Sequence, residues 1–419
     1  MVNQMKKSLT AALLLGSILS FNANAASIFE AMGDAYQHNP TLQAGRAGLR
    51  ATDENVAIAK SGYRPNIYLN GNYTDTHAHN DVVPVNEGYR KSVAAVLSQP
   101  IFNGFSTFNS VRAADKGVEA AQSDLYNIEQ EILLAASTAY LDVLRDESIV
   151  KLQKNNEELL KKRLDETRER FNVGEVTRTD VSQAEARHSA AISDRIAAEG
   201  NLAASKATYV EIIGTSPDGL EEPKTLADLF PKNQDEALKY AYDHNYNLKA
   251  AKSNLDSKTY TVAANNGALL PQVSFDATAA RSKSESKQTK DPETNSFEWG
   301  VNLNVPLYSA GQTRAKIRQS KYQKWQAQEQ VQAAEREMIS IVTSSYEYMV
   351  SNESRIKSVK DQIRAYAIAL DGVQQEEALG NRTVLDVLDA YQELLNANVQ
   401  EVRARRDYYV SGMALMLAM

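Results

Sequence analysis

The sequence predicts a mainly α-helical chain that also carries four membrane β-strands. Three observations predict this: an internal repeat at a constant offset, two proline-free helical stretches of unusual length, and paired segments in which apolar and polar side chains alternate strictly. The repeat organises the rest, because a fixed period means that one supersecondary unit is written more than once.

Ala35-Tyr36-Gln37-His38-Asn39 recurs 206 residues later as Ala241-Tyr242-Asp243-His244-Asn245. The same offset pairs Pro65 with Pro271, Pro100 with Pro306, Arg112 with Arg318 and Tyr140 with Tyr346. It also pairs Gly174, Thr177, Asp180 and Ala184 with Gly380, Thr383, Asp386 and Ala390. The expected organisation is therefore a first repeat over 26–213, a linker over 214–233 with three prolines, and a second repeat over 234–419.

Each copy is expected to open with one helix of about thirty residues that ends near Pro65 or Pro271, where the chain cannot stay helical. Two strands follow. In the second copy Val273, Phe275, Ala277 and Ala279 alternate with polar residues, as do Phe297, Trp299, Val301, Leu303 and Val305. Period-two patterning over about ten residues fits a membrane strand with lipid on one side and water on the other. The first copy, 66–76 and 90–99, is diluted by Gly71 and several alanines. The polar segments 75–89 and 282–295 read as surface loops.

Helical stretches then run from about 106 to 170 and from about 313 to 376, neither containing proline. Leu125, Ile128, Ile132, Ala135 and Ala139 follow a 3-4 spacing, as do Val384, Leu388, Tyr391, Leu395 and Val402, which is the seam of a coiled coil. At about 1.5 Å per residue each long helix spans roughly 100 Å, enough for a spacer across a compartment. The helices turn at 171–177 and 377–383. Gly174 and Gly380 suit the left-handed C′ position, Thr177 and Thr383 suit N-caps, and Asp180 and Asp386 stand at N3, where a carboxylate completes a capping box.

Residues 1–25 read as a secretory leader: Lys6 and Lys7, an apolar run from Leu9 to Phe21, and Ala23-Asn24-Ala25 as cleavage site, so that the mature chain starts at Ala26. The two lysines lost take the net charge from −7 to −9. That acidity, without a basic stripe, argues against nucleic acid as partner. No cysteine is present, which excludes disulfides, thiolate metal sites, a cysteine nucleophile and an N-terminal lipid anchor. No later segment offers a helical membrane span, so any insertion must use the strands. Four strands cannot close a barrel alone; several copies around a ring must do so, with eight strands for two chains or twelve for three.

The doubled layout and three motifs resemble the TolC-like outer-membrane efflux proteins, the outer-membrane components of type I secretion and multidrug efflux. The motifs are Phe-Asn-Val-Gly-x-x-Thr-x-x-Asp-Val from Phe171, Gly-Asn-Arg-Thr-Val-Leu-Asp-Val-Leu-Asp-Ala from Gly380, and Pro-Ile-Phe-Asn-Gly-Phe from Pro100. The resemblance covers essentially the whole mature chain. It implies a homotrimer with a twelve-stranded barrel in the outer membrane and a twelve-helix tunnel in the periplasm. It further implies docking, through a periplasmic adaptor (membrane fusion protein), to an inner-membrane ABC or proton-driven transporter. Type I secretion is favoured over drug efflux. By the same resemblance Val173, Gly174, Thr177, Gly380 and Thr383 meet the adaptor, Asp386 and Asp389 line the narrowest opening, and Arg382 latches that opening to a neighbouring Asp180. Glu377 stands where relatives often carry a latch tyrosine, and Asn398 where some carry a lysine.

Asp389 lies three residues after Asp386, and the position 206 earlier is Gln183, so its charge belongs to one copy and has no evident capping partner. Six such carboxylates in a trimer would attract cations. No nucleophile elbow, phosphate loop or zinc signature appears, so no enzymatic activity, metal or cofactor is expected. His38 and His244 read as structural. His77 and His79 flank Ala78 in a predicted loop without a third ligand, and His188 sits among alanines and charges on a helix. The competing reading is a soluble periplasmic coiled-coil or adaptor-like protein, which accounts for the long helices but not for the lipid-patterned hairpins.

Overall fold

The computed structural model describes residues 27–80, 83–223, 226–286 and 293–419. The expected leader and the start at Ala26 lie outside these residues. The elements are α1 (Ile28–His38), α2 (Pro40–Ser61), β1 (Asn66–Asn80), β2 (Val83–Asn103), α3 (Ser106–Asn172) and α4 (Arg178–Ile213), then α5 (Gln234–His244), α6 (Tyr246–Gly267), β3 (Gln272–Ser286), β4 (Thr294–Asn304), α7 (Gln312–Ala378) and α8 (Val384–Ala418). Helices of 11, 22 and 67 residues occur in that order in both halves of the chain. No helix among the described residues is long and apolar enough to cross a membrane.

The expected single opening helix is two helices in each half, and an asparagine breaks it. Asn39 is extended (φ −64°, ψ 124°), its Oδ1 accepts from the Thr41 N–H at 2.9 Å, and its Nδ2 donates to the Ile212 carbonyl at 2.9 Å. Asn245 likewise donates from Nδ2 to the Ala418 carbonyl at 3.0 Å. These carbonyls lie in the last turns of α4 and α8, where no intrahelical donor remains, so the break exchanges helix continuity for capping of a neighbour. Pro40 then suits the first position of α2, where its missing N–H costs nothing.

The chain divides into two compact units. The first comprises residues up to Gly45, Leu125–Asn245 and Glu335–Met419; the second comprises Arg46–Asp124 and Tyr246–Ala334.

The second unit contains one antiparallel sheet in the order β1-β2-β3-β4. Its strands are longer than expected. Tyr73 faces Lys91, Asp75 faces Tyr89, and pairing continues to Asn80 and Val83, so most of 75–89 is strand and His77 and His79 lie on β1 rather than in a loop. β3 likewise runs to Ser286, and 287–292 fall outside the described residues. The polar composition that suggested loops reflects strand ends that need no apolar face. At Pro100, which has no N–H to donate, the β2–β3 register shifts by a bulge before Phe102.

Register places Ile67, Leu97, Ala277 and Trp299 in one row and Leu69, Ala95, Ala279 and Phe297 in the next. Ile67, Leu69, Phe297, Trp299, Val301 and Leu303 are each at least 60% exposed. The opposite face carries Asn66, Asn70, Ser98, Ser274, Asp276 and Asn302, and Asp276 accepts from Ser98 Oγ (2.5 Å), Ser274 Oγ (2.7 Å) and Asn302 Nδ2 (2.6 Å). One face suits hydrocarbon and the other water. Where β2 meets α3, Gly104 (φ +66°) touches Gly267; a Cβ on Gly104 would lie 2.2 Å from the Gly267 carbonyl oxygen. Only glycine fits both the backbone angle and the approach.

In the first unit α1 buries Ile28, Ala31 and Ala35, and small buried residues (Ala184, Ala191, Ala198, Ala397, Ala404) let α4 and α8 pack closely. The chain between α4 and α5 is pinned at both ends by buried or half-buried rings. The Tyr140 hydroxyl donates to the Glu221 carbonyl at 2.7 Å and accepts from the Glu221 N–H at 2.9 Å. Tyr346, 206 residues further on, donates to the Lys232 carbonyl at 2.9 Å. Phe230 lies over Gly412, where any Cβ would meet its ring at 2.2 Å. Burial pushes the Tyr140 phenol up to about 12, so it stays a neutral donor at every physiological pH. Tyr140→Phe would take away the partner of both the N–H and the carbonyl of Glu221. We expect it to destabilise the protein by about 1–3 kcal/mol, read as a lowered midpoint of denaturant or thermal unfolding.

Candidate functional site at the helix turns

The two turns that reverse the long helices share one geometry. After α3, Gly174 is left-handed (φ 82°); its N–H donates to the Phe171 carbonyl at 3.0 Å, and the Glu175 N–H donates to the Arg170 carbonyl at 2.9 Å. After α7, Gly380 (φ 77°) donates to Glu377 and Asn381 to Glu376, both at 2.9 Å. Each is a Schellman ending, with glycine at C′ because a Cβ there would be strained.

Both return helices start with a complete capping box. Asp180 Oδ2 accepts from the Thr177 N–H (2.8 Å) and hydroxyl (2.7 Å), while Thr177 Oγ1 accepts from the Asp180 N–H (3.3 Å). Asp386 and Thr383 repeat the pattern at 2.9, 2.8 and 3.2 Å. The Thr383 N–H and hydroxyl hold the Asp386 carboxyl below the ordinary aspartate range, with nearby Arg382 adding to the effect. Immediately before each glycine the tips expose an apolar side chain: Val173 is 72% exposed and Leu379 78%.

The remaining residues of the predicted site have partners that the sequence did not disclose. Asp389, read as lacking a local partner, pairs with Arg187 of α4. Arg382 pairs with Glu376 of α7 at 2.8 Å, within its own chain. Glu377, whose side chain is only 11% exposed, pairs with Arg170 of α3, which also reaches Glu175 at 3.3 Å. Asn398 donates to the Leu394 carbonyl of its own helix at 2.8 Å. Tyr391 links further groups: Arg163 of α3 donates to its hydroxyl at 3.3 Å, and Gln374 of α7 bonds to it as well. Beneath these lies a small core of Leu160, Leu164, Ala184, Ala191 and Leu388, flanked by Leu159, Val181 and Val384. The seam spacing of α8 pointed to Val384 and Leu388; nothing in spacing marks Arg187 or Arg170, because their acids lie more than 200 residues away in sequence.

The histidines take ordinary places. His38 Nδ1 lies 3.1 Å from the Asp34 carbonyl, and His244 Nδ1 3.0 Å from the Tyr240 carbonyl with its ring stacked on Tyr240. His77 lies 3.5 Å from Asp75, and among the described residues no three ligand-type side chains converge as a metal would need.

This arrangement can present charge and dock a partner; no nucleophile or general base is assembled at the turns. The N-caps are the more directly testable part. Thr383→Ala should cost about 0.5–2 kcal/mol of stability, seen in thermal unfolding. Because the folded-state pKa of Asp386 is depressed, its capping contribution is fully present above the ordinary aspartate pKa and is lost as pH falls through the lowered value. Asp386→Asn should therefore melt below the parent protein at neutral pH, with the gap closing in strong acid.

The chain as a whole is similar to known proteins. The family model described as outer membrane efflux protein matches residues 31–215 and 237–419. Outer membrane efflux protein BepC of Brucella suis biovar 1 (strain 1330) is 36% identical over 411 residues, covering 97% of this chain and 88% of the relative. Proteases secretion protein PrtF of Dickeya chrysanthemi is 25% identical over 415 residues, covering 94% of this chain and 89% of the relative. The crystal structure of the outer membrane protein VceC from Vibrio cholerae superposes with a TM-score of 0.80 at 17% identity, over 93% of this chain and 95% of that one.

Proposed function

The chain belongs to the outer membrane efflux protein family, and from that premise we propose how this export channel of the outer membrane is built and what it carries. It is a non-enzymatic conduit of the outer membrane whose tunnel extends into the periplasm. The soluble coiled-coil alternative is set aside by that membership and by the exposed apolar face of the sheet.

In the proposed assembly three copies close a twelve-stranded barrel, and two structural repeats, 26–213 and 234–419, each supply a hairpin and a helical pair. Val173, Gly174, Thr177, Gly380 and Thr383 form the tips that meet a periplasmic adaptor, which links the channel to an inner-membrane ABC or proton-driven transporter. The observation that supports this reading is the conjunction of capped turns with bare apolar tips: a rigid, satisfied backbone that leaves Val173 and Leu379 for a partner. Arg382 latches the closed opening by exchanging Glu376 for Asp180 of a neighbouring copy. Asp386 and Asp389 line the constriction. Type I secretion of protein is favoured over drug efflux, a preference consistent with the protease-secretion relative. A deletion strain that loses a secreted protein while keeping its drug resistance supports this cargo; the reverse phenotype would assign it to efflux.

The Arg187 partner sharpens the charge prediction. Arg187 and Asp389 are both well exposed, so their pair contributes little to stability and acts mainly on the local field. In planar bilayers Asp389→Asn should lower cation selectivity, Arg187→Gln should raise it, and the double variant should return close to the parent. Unchanged selectivity in both single variants would mean that the pair is only an interhelical contact and lines no opening.

A further inference from the structure

The apolar face of the sheet ends in a group of side chains that neither the barrel nor the tunnel requires. On that face, beyond Val93 and Ala279, the register brings Tyr73, Lys91 and Lys283 into one row, with Tyr89 and Glu285 in the next and Arg281 in the row before. The Tyr73 and Tyr89 rings stack with centroids 6.2 Å apart, and Lys91 Nζ lies 5.7 and 4.8 Å from their centres. Two lysines directly opposite on neighbouring strands repel, since such partners have Cβ atoms only about 5 Å apart. The nearby acids are already engaged: Glu293 holds Arg281 at 2.7 Å, Asp75 lies 3.5 Å from His77, and Glu285 accepts from the Tyr89 hydroxyl at 2.5 Å while standing 3.9 Å from Lys283. Among the described residues no carboxylate lies within ion-pair distance of Lys91. Among the described residues, then, Lys283 has one carboxylate at the limit of ion-pair distance, and Lys91 meets only the faces of the two tyrosine rings.

The depth of the lysine row in the membrane indicates where a counter-charge comes from. Ten residues of β3 separate Val273 from Lys283 on the same face. At about 3.3 Å per residue and a strand tilt of roughly 35–45°, that distance is about 25 Å along the membrane normal, the height of the apolar band of a barrel. If the Val273 end sits at the periplasmic border, Lys91 and Lys283 stand at the level of the outer-leaflet headgroups, with tyrosines placed as in an interfacial belt. They also face outward, because the polar face with Asp276 and Asn302 turns to water. Both lie on the two central strands of the chain's sheet, so a copy pairing at the β1 or β4 edge does not cover them.

We infer that Lys91 and Lys283, framed by Tyr73 and Tyr89, bind the phosphate of a phosphorylated saccharide lipid of the outer leaflet, whose acyl chains lie on Val93, Phe297 and Trp299. Lysines act here as point charges toward phosphate, and the ring-bound Lys91 is held in place for it. The neighbouring Arg90 supplies an internal control, since it is next in sequence but lies on the water-facing side of the strand.

The test is native mass spectrometry of the full-length protein in detergent, offered lipid A or its fully dephosphorylated form. The parent and Arg90→Gln should retain the phosphorylated lipid about tenfold more than the dephosphorylated one, and Lys91→Gln/Lys283→Gln should lose that preference. Equal retention of both lipids by the parent protein overturns the inference, and this arm needs no variant to fold. Equal loss in Arg90→Gln and the double variant also overturns it, as a net-charge effect. Displacement of the lipid by excess inorganic phosphate would reduce the site to a general anion site and reject the lipid assignment.

Discussion

A four-stranded sheet with an apolar face has two edges that pair with no further strand among the described residues, and in hydrocarbon each unbonded backbone donor or acceptor costs several kcal/mol. The outer sides of β1 and β4 are those edges. Closure by further copies is the way out that leaves no edge. The sidedness of the strands follows too: Ile67, Leu69, Trp299 and Leu303 need lipid, whereas Asp276 with its ring of hydroxyl and amide donors needs water.

At the turns, the residues that present charge also hold the backbone. Asp180 and Asp386 spend one oxygen on two hydrogen bonds of the cap, which places their charge rigidly at the start of a helix, where the dipole favours it. Asp389 has no such duty. Its position is set by a cation from another helix, so the field at this end depends on Arg187 as much as on the acids. Arg170 and the nearly buried Glu377 form a second bond between α3 and α7. A charged pair holds by Coulomb attraction against the cost of desolvating both groups, and salt screens the part of that attraction that reaches solvent.

Local chemistry was readable wherever it is decided within a few residues. Gly174, Thr177 and Asp180 announce a left-handed ending followed by a capping box, because all partners lie within one turn of helix. The alternation in 297–305 announces a strand for the same reason. Asn39 and Asn245 were missed as helix breakers, since what recruits each is a carbonyl 173 residues away, Ile212 or Ala418. The extension of β1 through 75–80 and of β2 over 83–89 was missed because those rows sit beyond the apolar band and lose the alternation that marks a membrane strand.

By itself, then, the sequence determined the period of 206 residues, the order of helices and strands, the faces of the hairpins and the chemistry of the turns. These rest on repetition, periodicity and short-range bonding. Only the tertiary structure decided which charges meet, that Arg187 answers Asp389 and Arg170 answers Glu377, and that Lys91 stands opposite Lys283. Such pairs depend on helix packing and strand register, which bring together residues separated by about 190 to 210 positions, and no local pattern encodes a distance of that kind.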